Sequence, residues 1–152
     1  MVLLLIKVFK SDDEYIFIPS GQDKVGIRRV LDYFKKIGVN ADKEILGEFA
    51  KKVFDYCKEH WFIENPDLDF DVYVNATGKK WSKFFKAHNC VPIMLDPEKG
   101  FDVHPYFKNE RYKSYGITKD DVYPIYKLPV DCSDEELGEK IMKSFTFLEQ
   151  IE

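Results

Sequence analysis

Cysteine is scarce in this sequence of 152 residues. There are three, Cys57, Cys90 and Cys132, an odd number with no Cys-x-x-Cys pair. A disulfide framework is excluded on that count, and reduced thiols fit a cytoplasmic protein. Histidine is as rare: His60, His88 and His104 lack the spacing of a zinc site. Glycine occurs eight times, but never as Gly-x-Ser-x-Gly, a Walker loop or Gly-x-Gly-x-x-Gly. The nucleophile elbow, the P-loop and the dinucleotide fingerprint are therefore missing. No apolar run approaches the roughly 20 residues of a membrane span. The opening MVLLLIKVFKSDDE is apolar but has no basic start, is interrupted by Lys7 and Lys10, and runs into no small-residue cleavage site. It reads as a buried strand rather than a signal peptide.

What is abundant is aromatic: 16% of the chain, with thirteen Phe and nine Tyr. With 45% hydrophobic residues this predicts one packed domain with its own core and several half-exposed tyrosines. The net charge of −4 makes a broad phosphate-binding surface a poor expectation and a basic protein a better partner. No internal repeat, low-complexity tract or linker breaks the chain.

Hydrophobic periodicity predicts the elements. Residues 2–9 and 15–18 read as strands joined across Asp12, Asp13 and Glu14, a hairpin. Ile27, Val30, Leu31 and Phe34 recur at helical spacing, and Gly38 follows as a stop. A second helix starts near Asp42, with Leu46, Phe49, Ala50, Val53 and Cys57 inward. Residues 70–74 alternate as a strand with one wet face, followed by an Asn75-Ala76-Thr77-Gly78 turn. A short helix over 79–88 turns Trp81, Phe84 and Phe85 inward. Residues 91–95 and 101–106 read as a strand pair. Pro92 and Pro105 argue against central positions there. Residues 109–121 read as irregular, and 122–128 as a last strand at an edge. The final helix carries a capping box, Ser133 with Glu136, and a stripe of Leu137, Ile141, Phe145 and Leu148. The pattern predicts an α+β domain: a layered, mixed or antiparallel sheet with about four helices, a three-layer α/β arrangement being the alternative.

Three patterns bear on chemistry. Asp67, Asp69 and Asp71 alternate like the opening of a calcium loop, but the glycine and glutamate positions fall on Val72 and Gly78, so no metal is expected. With Glu64 they form the densest acidic patch outside the last helix. Lys79, Lys80, Lys83 and Lys86 interleave with three aromatics, as in some nucleic-acid-binding modules. At helical spacing, however, the aromatics face inward and the lysines outward. Cys90 with His88 or His104 could form a nucleophile and base, which would make a small hydrolase. A cysteine opening an apolar strand is more ordinarily a small buried thiol.

The segment Gly78-Lys79-Lys80-Trp81-Ser82-Lys83-Phe84-Phe85, the following strand, a Gly100 turn, a second strand and a Tyr115-Gly116 loop precede a closing run, Leu128-Pro129-Val130-Asp131-Cys132-Ser133-Asp134-Glu135-Glu136-Leu137-Gly138. This order resembles the contact-dependent growth inhibition immunity proteins of bacteria. The chain departs from that pattern at Cys132, where a smaller residue is expected, and at Phe145 and Phe147, where alanine is expected. The resemblance implies a cytoplasmic antitoxin without catalytic residues or cofactor. Its partner would be the C-terminal toxin domain of a large surface-exposed effector, commonly a nuclease. No direct nucleic-acid contact and no membrane are expected. A nuclease is basic where it holds phosphate, so acidic patches and exposed tyrosines are the expected contacts. Glu64, Asp67, Asp69, Asp71, Tyr112 and Tyr115 are the candidates. A hydrolase using Cys90 and His104, and a nucleic-acid module using Lys79, Lys80, Lys83 and Lys86, are the alternatives.

Overall fold

The apolar opening needs partners on both sides to satisfy its backbone. In the computed structural model, which describes residues 2–66, 69–117 and 123–152, it forms strand β1 (Leu4–Lys10) between β2 (Glu14–Asp23) and β6 (Asn89–Asp96), antiparallel to both. The sheet continues from β6 through β7 (Gly100–Val103) to an edge strand β10 (Tyr126–Leu128). The opening hairpin, the pairing of β6 with β7 and the edge position of β10 agree with expectation, although β10 begins at Tyr126. β6 is nevertheless central. Pro92 sits in its ladder opposite Lys7, where its carbonyl still accepts the His104 N–H at 3.4 Å.

The helix expected over Ile27–Phe34 is absent. The ten-residue β2 pairs there with two short strands, β3 (Arg28–Val30) and β4 (Lys35–Gly38). The cause lies in the preceding turn. The Asp23 carboxylate accepts the Val25 and Ile27 N–H groups, and Gly26 adopts φ 87°, so the chain folds back into a hairpin. Burial works to raise the pKa of Asp23, but hydrogen bonds from Ile27, Arg29 and Val25 outweigh it and hold the carboxyl below its usual range.

Alternation along the strands makes two apolar faces. Ile6, Val8, Tyr15, Phe17, Val91 and Ile93 meet helices α1 (Lys43–His60) and α4 (Asp134–Ile151) in the main core. The helix expected from near Asp42 is capped by that residue, whose side chain accepts from Ile45 N, and Ser133 with Glu136 completes the expected capping box. Leu137, Ile141, Phe145 and Leu148 are buried, and Gly47 and Gly138 let the two helices touch backbone to backbone.

On the other face, Phe9, Ile16, Ile18 and Cys90 are covered by α2 (Val72–Thr77) and α3 (Trp81–Ala87). The strand expected over residues 70–74 is therefore a helix start. Asp71 caps it by accepting the Tyr73 and Val74 N–H groups, and Gly78, at φ 74°, ends it by donating to the Val74 carbonyl at 2.7 Å. At the start of the segment expected to be irregular, whose residues 118–121 lie outside the described residues, β8 (Phe107–Asn109) and β9 (Ser114–Gly116) form a small hairpin. The short β5 (Phe62–Ile63) adds a parallel partner to the end of β2. The result is a mostly antiparallel α+β domain with four helices among the described residues. None of those helices is long and apolar enough to cross a membrane.

Candidate protein-binding surface

The acidic patch lies where β5 runs into α2. Glu64, Asp69 and Asp71 are all exposed on this connection. Asp67 lies outside the described residues. Asp71 has a structural duty as the α2 cap and keeps its carboxylate at the surface. Among the described residues no group of three or more His, Cys, Asp or Glu converges as a metal site would require.

Tyr112 stands at the tip of the β8–β9 hairpin, 68% exposed, with the Arg111 guanidinium 5.3 Å from its ring centre. The tip is shaped by Lys113 at φ 48° and by Asn109 Oδ1, which accepts the Tyr112 N–H. Tyr115 is different. Its ring packs edge-on to Phe9 and Trp81, and its hydroxyl donates to the His88 carbonyl at 2.7 Å. It is half-buried, and burial pushes its phenol well above the usual tyrosine range. Its structural work is to fasten the hairpin to α3.

Trp81 links the two parts. Its Nε1 donates to the Lys113 carbonyl at 2.7 Å, and its ring lies 4.8 Å from that of Tyr73 on α2. It also borders a groove of about 620 Å³ whose apolar wall is made by Leu31, Ile63, Pro66, Phe70 and Tyr73. Asp71 borders the same groove. The acidic connection therefore borders an apolar depression, and the hairpin that carries Tyr112 is tied to its Trp81 wall through the Lys113 carbonyl. Sequence reasoning missed this groove because its walls come from segments far apart in the chain, two of them misassigned. Asp71 six residues before Thr77 and Gly78 just after it were the readable signal for α2.

The alternative chemistries find little support in this geometry. Cys90 is fully buried, and burial pushes its thiol up to about 12, the reverse of what a thiolate nucleophile needs. His88 Nδ1 lies 2.9 Å from the Phe84 carbonyl, which fixes the proton on that nitrogen, and the ring stacks on Phe84. Burial lowers the pKa of both His88 and His104. Lys79, Lys80, Lys83 and Lys86 are exposed and Phe84 and Phe85 are enclosed; Trp81, expected inward with them, is half-buried and borders the groove, so a row of stacking aromatics does not stand among these lysines.

No family model matches the chain, and no curated protein matches it by sequence. Solved structures do match. The fold is shared with a chain of a toxin–immunity complex. That complex, the CdiA-CT/CdiI toxin and immunity complex from Yersinia pseudotuberculosis, superposes with a TM-score of 0.66 at 14% identity, covering 96% of this chain and 97% of the other. A protein of unknown function from Neisseria meningitidis is similar too, with a TM-score of 0.72 at 15% identity over 96% of this chain and 95% of that one. Both alignments run nearly end to end, so the likeness covers the sheet and both helical layers. At these identities it is a likeness of fold.

Proposed function

We propose that this chain is an immunity protein. It binds the toxin domain of a contact-dependent growth inhibition effector in the bacterial cytoplasm and neutralises it without performing a reaction. The observation that carries this reading is the end-to-end fold likeness to a chain of the CdiA-CT/CdiI toxin and immunity complex. The order of segments closing on Leu128–Gly138 supports it independently. Burial of Cys90 and the raised pKa of its thiol argue against the alternative of a hydrolase built on that residue.

We assign the toxin to the nucleases. An enzyme that grips phosphates is basic around its active site. A protein of net charge −4, with Glu64, Asp67, Asp69 and Asp71 on one connection, is suited to meet it. Tyr112 is the exposed aromatic anchor of this surface, and Tyr115 supports the loop that presents it.

The test is co-expression with the toxin domain encoded beside this gene. Cells carrying both should survive, cells carrying the toxin alone should die, and the purified pair should form a complex of nanomolar affinity or tighter. Survival that requires turnover of a substrate by this chain, or no protection at all, would end the proposal.

A further inference from the structure

The groove between β3 and the β5–α2 connection has a chemistry that narrows what can fill it. Its wall is apolar, built by Leu31, Ile63, Pro66, Phe70, Tyr73 and Trp81, and its volume of about 620 Å³ takes several side chains at once. Water held against such a wall is readily displaced by an apolar group. The rim is polar and unbalanced. Arg29 Nε lies 3.0 Å from Asp23 Oδ2, which neutralises it. Among the described residues lining the groove that leaves Arg28 as the cation beside the carboxylates of Asp32 and Asp71, with Glu64 exposed on the same connection. Arg28 is itself drawn aside, its Nη2 donating to the Leu3 carbonyl at 3.1 Å.

Exposed apolar side chains also stand at the neighbouring end of β2. Ile27 and Phe62 are each 51% exposed, one just before β3 and the other on β5. Both flank the same end of β2. An exposed apolar depression with a polar rim, such as this groove, is the usual form of a protein-docking site.

We propose that this groove seats a segment of the toxin in which one or two apolar side chains, an aromatic among them, are flanked by arginine or lysine. The aromatic fills the space between Leu31, Ile63, Phe70 and Trp81. Its basic neighbours meet Asp32, Asp71 and Glu64. The identity of the partner rests on the immunity reading above; the chemistry of the guest rests on the groove.

Two measurements test this and separate it from that reading. In the first, the isotopically labelled full chain is titrated with acetyl-phenylalanyl-arginine amide and followed by NMR. Saturable shifts are expected at the Trp81 indole N–H and the amides of Leu31, Ile63 and Tyr73, with at least about tenfold weaker binding of acetyl-phenylalanyl-glutamate amide. An absence of saturable shifts, or equal response to both peptides, overturns the groove assignment. In the second, the variants Asp32→Lys and Leu31→Arg are measured against the toxin domain encoded beside this gene, with circular dichroism checking their fold. At least about tenfold weaker binding is expected from each folded variant. Asp32→Lys is the safer of the two, because the Asp32 side chain is exposed and accepts an exposed hydrogen bond from Asn75 Nδ2 at 3.2 Å. Wild-type affinity in a folded variant overturns the groove while leaving the immunity reading intact. A wild-type chain that fails to bind the toxin ends the immunity reading, and the peptide titration still decides the groove.

Discussion

A methyl group added at Gly138 would fall inside the Lys43 carbonyl oxygen, and one added at Gly47 would meet the Asp134 carbonyl in the same way. The N-terminal turns of α1 and α4 thus rest on each other through reciprocal glycines, with Lys51 bracing the joint by donating to the Cys132 carbonyl at 2.6 Å and pairing with Asp134 at 2.9 Å. Because the obstacle is backbone, it cannot move aside as a side chain would. Gly138→Ala is expected to lose about 1–3 kcal/mol or more, measured by urea unfolding, whereas the same change at the half-buried Gly116, where an added Cβ meets nothing within 4 Å, should cost far less. Asp23 provides a pH-dependent counterpart. Its carboxyl is held below the ordinary value, so its contribution to stability is complete above about pH 4 and is lost as pH falls through the lowered folded-state value. Asp23→Asn should therefore flatten the acid limb of a Tm-against-pH curve; an unchanged limb would show that this turn does not couple to global unfolding.

Elements were legible where local chemistry and tertiary demand agreed. Asp42 and the Ser133–Glu136 box mark their helices in the sequence because a cap is a local device, satisfied by residues two or three positions away. Ser133→Ala should cost about 1 kcal/mol in chemical denaturation. Removing Glu136 as well should add less than its separate effect, since both serve one box. Elements were misread where a partner strand decided. Ile27, Val30, Leu31 and Phe34 fit a helical stripe, yet Ile27 is half exposed while Val30 and Phe34 pack on the second core. The long β2 offers a free edge, and the Asp23–Gly26 turn delivers the chain to it. Residues 70–74 alternate like a strand, but Asp71 and Gly78 bracket six residues as caps, and capping prevails over so short an alternation.

At the scale of the whole molecule, the sheet with two helices on one face was readable from alternation and from the terminal capping box. The second layer was only partly so, because α2 was hidden and the β8–β9 hairpin lacks a long apolar run. The proposed surface shows the same division. Charge and exposure of Glu64, Asp69 and Asp71 could be read from composition; the depression beside them could not, since it exists only after β3, β5, α2 and α3 are assembled. This arrangement makes a kinetic prediction about binding. Exposed carboxylates act on an approaching basic protein over about a Debye length, roughly 10 Å at 0.1 M salt, whereas an apolar seat acts at contact. If the proposed toxin domain is the partner, reversing Glu64 and Asp69 together to lysine should slow its association by about tenfold at low salt, with the difference shrinking as salt rises. Dissociation should change little by comparison, because rim charges steer more than they hold. Stopped-flow association measured across a salt series separates these terms. If the double reversal leaves the association rate unchanged at every salt concentration, the toxin approaches by another face, and the acidic connection serves only to begin α2.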